Sequence, residues 1–95
     1  MINENPKDVS TSEEKTIEFS VSAAGSNLIY NWEYSTNDGY TWKALSTKSF
    51  PTASTADLSL KAKQSFDGYL FRCKVISGET IKYSNSAKLT VISAG

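Results

Sequence analysis

Histidine is absent from the 95 residues, and cysteine occurs once, at Cys73. Without imidazole the chain lacks both the usual general base at neutral pH and the commonest transition-metal ligand. A single cysteine closes no intrachain disulfide. Ten basic residues offset ten acidic ones, so a formal net charge of zero leaves no field to steer the protein toward nucleic acid or anionic lipid. No apolar run approaches the length of a membrane span. The opening MINEN lacks the basic start and apolar stretch of a secretory signal. Helical periodicity, internal repeats and low-complexity tracts are likewise missing, so solenoid and bundle architectures have no support.

What is present suffices for one folded domain. Hydrophobic residues make up 39 %, which lies above a disordered composition, and eleven aromatics supply bulk for a core. A chain of this length buries roughly 60 to 65 % of its unfolded surface, enough for a single core. Residues 1–8 are polar and include Pro6, and read as a linker or a frayed first strand. From Thr16 the period is two: Ile17, Phe19, Val21 and Ala23 alternate with Glu18, Ser20 and Ser22, as in a strand with one buried face. Leu28, Tyr30, Trp32 and Tyr34 share one face of a second strand. The following STNDG has hairpin chemistry, since Gly39 tolerates positive φ. A loop of residues 37–39 would set Tyr34 opposite Trp42 as a cross-strand aromatic pair.

Residues 46–57 are Ser/Thr-rich and contain Phe50 and Pro51, which suits an irregular or edge segment. Alternation returns at Leu58, Leu60 and Ala62. It continues with Tyr69, Phe71, Cys73 and Val75 inward and Leu70, Arg72, Lys74 and Ile76 outward, then ends with Ile81, Tyr83, Ala87, Leu89 and Val91. Short strands at regular spacing predict an all-β antiparallel sandwich or barrel.

The stretches FSVSAAG, LIYNWEYSTNDGYTW, LSLKAKQSFDGYLFRCKV and YSNSAKLTV resemble the bacterial immunoglobulin-like modules carried on secreted and surface proteins, over about residues 9–92. That resemblance implies an immunoglobulin-like Greek-key sandwich of about seven to eight antiparallel strands, occupying residues 9–95 as one domain. It sets Trp32 at the core tryptophan position and Cys73 at the second framework cysteine. Val21 then stands where the first cysteine is commonly lost, filling the site with apolar bulk. Phe71 replaces the tyrosine that animal relatives use to tie the corner, so packing of Phe66 and Phe71 is expected to hold it. The implied core comprises Phe19, Val21, Trp32, Leu60, Phe71 and Cys73.

Function follows less directly. Cys73 sits on an inward position and is expected to be an inert core thiol rather than a nucleophile. The carboxylates are scattered, with no D-x-D-x-D spacing for calcium and no facing pair for glycoside hydrolysis. Asp67 is expected to cap the corner or pair with a cation. No cofactor, metal or catalytic residue is expected. Aromatics at Tyr40 and Trp42 are the candidate ligand-binding residues, able to stack on a sugar or anchor a protein. The resemblance implies a non-enzymatic module of a bacterial protein, extracellular or on the cell surface, spacing or presenting neighbouring domains of one polypeptide. The alternative is an adhesion module that binds a glycan or host protein. Nucleic acid is not an expected partner, and this segment is expected to hold no membrane span.

Overall fold

The period-two patterning becomes ten strand segments in the computed structural model, which describes residues 2–48 and 50–92. They are β1 (Ile2–Glu4), β2 (Val9–Ser12), β3 (Thr16–Ser20), β4 (Ser22–Ala23), β5 (Leu28–Ser35), β6 (Lys43–Ala44), β7 (Asp57–Lys61), β8 (Leu70–Ser77), β9 (Thr80–Tyr83) and β10 (Ala87–Ile92). Two short 3-10 turns, Pro51–Ser54 and Gln64–Phe66, are the only helical pieces among the described residues. Met1, Ser49 in the Ser/Thr-rich segment and residues 93–95 of the expected 9–95 domain lie outside the described residues.

The longest ladder is β5 against β8, in register from Leu28 opposite Ser77 to Ser35 opposite Leu70. It is the centre of a sheet ordered β2, β10, β8, β5, β6, with β9 also on β8. Two further pairs, β3 with β7 and β1 with β4, are antiparallel. The pairing of β2 with β10 is parallel, contrary to the expectation of a wholly antiparallel set. Strand segments also outnumber the expected seven or eight, because irregularities split runs that read as continuous.

One such split shows its purpose. Through β9 and Ser84 the partner of each residue runs from Ser77 opposite Thr80 to Lys74 opposite Tyr83, but Ala87 then lies opposite Phe71, one residue out of step. The offset is a β-bulge at residues 84–86. Ser84 donates its N–H to the Cys73 carbonyl at 2.9 Å, and its hydroxyl accepts the Cys73 N–H at 2.8 Å in place of a ladder carbonyl. A one-residue shift exchanges the faces of every later side chain. Ala87, Leu89 and Val91 therefore turn inward and Lys88 outward.

The core lies between β3 and β7 on one side and β5, β8 and β10 on the other. Phe19, Leu58, Trp32, Cys73 and Leu89 are essentially without solvent exposure. Phe19 and Phe71 stack at 5.0 Å between centroids. The Trp32 indole N–H donates to the Thr55 carbonyl at 2.7 Å, so the largest core side chain buries its one polar atom satisfied. The segment expected to be a linker or frayed strand is tied down from Ile2. Asn5 accepts the Asn85 N–H, Asp8 accepts the Lys88 N–H, and Pro6 is buried where the chain leaves β1 and approaches β2. A residue with no N–H suits a point where the chain leaves one ladder before joining another.

Candidate functional site

The hairpin after β5 departs from expectation and decides where the aromatics go. Tyr34 lies opposite Lys43 and Glu33 opposite Ala44, so Tyr34 does not face Trp42 and the two rings form no cross-strand pair. The reason is the loop's own hydrogen bonding. Ser35, almost fully buried, accepts N–H bonds from Asn37 at 3.3 Å and Gly39 at 2.8 Å, and donates to the Asn37 side-chain oxygen at 2.8 Å. That oxygen also accepts the Thr41 N–H at 3.0 Å. Short polar side chains bonded to nearby backbone stabilise a wider turn, with Asp38 and Gly39 both at positive φ. The extra residue shifts Trp42 to the outer face, while the Tyr34 ring stacks on Tyr69 at 5.8 Å.

On that outer face Arg72 is held from three directions. Its guanidinium carbon lies 4.3 Å from the Trp42 ring centroid and 4.2 Å from that of Tyr83, and its Nε donates to Glu33 at 2.8 Å. Glu33 and Arg72 are direct cross-strand neighbours, so the sheet register itself aligns the ion pair. Each cation–π contact contributes about 0.5 to 1 kcal/mol at a site this open. Of the two candidate ligand residues, Trp42 is thus half-buried and occupied by Arg72. Tyr40, at the loop, is 90 % exposed. The structure does not bring the two into one site.

A second feature of this face was not singled out in the sequence. Ile29, Ile76 and Ile81 are successive cross-strand partners on β5, β8 and β9, an apolar row in which Ile29 and Ile81 are about half exposed. The signal was there in principle, as isoleucine at outward positions of three strands, but only the pairing register aligns them.

At one end of the core an open cleft of about 290 Å³ is lined by Tyr34, Ala44, Leu45, Ser46, Phe50, Phe66, Tyr69 and Phe71. Phe66 packs on Tyr69 at 5.5 Å and on Phe50 at 6.2 Å, so the rings support one another as its wall. The neighbouring corner is not held by packing alone. Asp67 caps it, its carboxylate accepting the Val91 N–H at 2.8 Å, while the Gly68 N–H reaches the Leu89 carbonyl.

Phe19, Val21, Trp32, Leu60, Phe71 and Cys73 are all buried in one cluster. Burial pushes the Cys73 thiol up to about 12, with the Glu33 charge adding to the rise and a backbone hydrogen bond at Asn31 opposing it. At neutral pH the group is a protonated thiol, shielded and non-nucleophilic. Among the described residues no group of three or more carboxylate or thiol side chains is placed to hold a metal ion, and no helix is long and apolar enough to cross a membrane. No protein-family description matches the chain, and no curated protein resembles it significantly.

Proposed function

We propose that the chain is an immunoglobulin-like sandwich module of a bacterial secreted or cell-surface protein, without catalytic activity, that spaces and joins neighbouring domains of its own polypeptide. Strand order supports the fold: β3 with β7 and β1 with β4 lie across the core from β2, β10, β8, β5 and β6, as in an immunoglobulin-like Greek key. Trp32 and Cys73 at the centre of the core, with Val21 in the same cluster, agree with the framework that the sequence resembles.

The mechanical role rests on the parallel pairing of β2 with β10. Val9 lies opposite Leu89 and Ser12 opposite Ile92, so the two strands run in one direction side by side. Ile92 lies next to Glu13, at the level where β3 begins, whereas Ile2 pairs with Ala23 where β4 ends. Seven residues of extended chain separate those levels, about 23 Å. The first described strand therefore begins, and the last one ends, at opposite ends of the run formed by β3 and β4. Opposed pulls at those ends draw β2 and β10 past each other, loading their four residue pairs together in shear rather than one after another.

Single-molecule stretching between the two ends tests this. Ser10→Pro and Thr11→Pro between them delete whichever β2 N–H bonds to β10, and the affected variant is expected to unfold at clearly lower force. Unchanged unfolding force in both variants would exclude β2 and β10 as the bearing contact and remove the support for a mechanical role. One observation favours recognition instead: Tyr40 stands nearly free at a loop. Under that reading a glycan or host protein that binds the chain loses its affinity for the Tyr40→Ala variant.

A further inference from the structure

The edges of the sheets are treated unequally. At β7 the Thr52 hydroxyl accepts the Ser59 N–H at 2.8 Å and donates to the Ser59 carbonyl at 3.1 Å, so one side chain occupies both edge groups. β10 is covered by β2 along Leu89 to Ile92. β6 is two residues long and carries Lys43. Short edges, covered edges and edge lysines are the usual protections against unwanted strand pairing.

β9 carries Lys82, but among the described residues neither a strand nor a side chain covers its outward main-chain groups. The bond from the Ser84 N–H to the Cys73 carbonyl fixes which positions bond across to β8. By antiparallel alternation these are Val75 with Lys82 and Ser77 with Thr80. The N–H and C=O groups of Ile81 and Tyr83 then point away from β8, and no described residue pairs with them. All four residues of β9 are exposed. The apolar row of Ile29, Ile76 and Ile81 also stops at this edge, with Ile81 49 % exposed. Beside the edge runs an open groove of about 480 Å³ lined by Ile2, Asn5, Lys82, Tyr83 and Asn85. That lining contains a cation and no carboxylate.

We propose that the β9 edge captures an extended, acidic segment of a partner protein by strand addition. The main-chain groups of Ile81 and Tyr83 supply the hydrogen bonds. Alternation decides the side chains: partner residues opposite Ile81 and Tyr83 lie on the outer face and are apolar, extending the isoleucine row. The residue between them lies opposite Lys82 and is acidic. The segment thus reads apolar, acidic, apolar. A second copy of this chain fits less well, because pairing Ile81 with Tyr83 of the other copy sets Lys82 against Lys82.

The probe is an acetylated, amidated eight-residue peptide alternating Val and Glu, titrated into the full chain by amide NMR with hydrogen exchange. Binding is expected to slow exchange at Ile81 and Tyr83 at least tenfold. N-methylation of the peptide amides that face β9 is expected to weaken it tenfold or more without altering any side chain. Lys82→Glu, an exposed change that leaves the fold intact, is expected to reject the Val-Glu peptide and accept a Val-Lys one. Absence of protection at Ile81 and Tyr83, or affinity indifferent to N-methylation, would overturn the proposal. So would concentration-dependent dimers that protect the same amides without peptide. Each of these failures leaves the stretching result, and the mechanical reading, untouched.

Discussion

Trp32→Ala is the substitution that weighs most on the fold. Trp32 has no exposed surface and fills the space between the two halves of the core. Replacing such a ring with a methyl group costs about 3 to 5 kcal/mol through lost burial and the cavity left behind. Loss of the indole N–H bond to the Thr55 carbonyl adds about 0.5 to 1.5 kcal/mol to that figure. A 95-residue domain has about 5 to 14 kcal/mol in all, so the variant loses about a fifth or more of its stability. Its Tm falls by at least about 12 °C. Trp42→Ala provides the contrast. That ring is half-buried on the outer face, and Arg72 keeps Glu33 and Tyr83 when it is gone, so the expected cost is about 1 kcal/mol. Urea unfolding followed by far-UV circular dichroism measures both from the midpoints at constant m. A cost for Trp42→Ala equal to or above that of Trp32→Ala would refute the placement of both rings.

Val21→Cys is expected to oxidise with Cys73, closing a loop of about fifty residues worth up to about 4 kcal/mol in the chain-entropy model; two free thiols after mild oxidation would show that Val21 does not face Cys73. Ser35→Ala deletes the hydroxyl that bonds Asn37 and Gly39, and is expected to cost about 1 to 3 kcal/mol by urea midpoint, with a change under about 0.5 contradicting the loop account. Burial raises the Cys73 thiol from 9.0 to about 12, so the folded state keeps a proton that the unfolded state loses. The thiol's contribution to stability is therefore full below pH 9 and declines as the pH rises from 9 toward 12. Urea midpoints at pH 7.5 and 10.5 should fall more in the wild type than in Cys73→Ala, and an equal fall would contradict burial of the thiol.

Much of the core is legible in the sequence, because a strand with one buried face must alternate. Ile17, Phe19 and Val21 in β3 and its extension, and Phe71, Cys73 and Val75 in β8, follow directly from that period. The missing histidine and the unpaired cysteine likewise limited the chemistry from composition alone. Register, however, is a property of two strands and of the turns and bulges between them. The Ser35 network widened one hairpin by a residue and sent Trp42 to the outer face, where it met Arg72 rather than Tyr34. The bulge at Ser84 reversed the parity of the last strand and turned Ala87, Leu89 and Val91 inward. Which edge was left open depended on contacts between distant residues, such as Val9 of β2 with Leu89 of β10. Period-two patterning tells which residues share a face of one strand. The neighbour each meets depends on a one-residue offset whose hydrogen bonds exist only once the chain has folded.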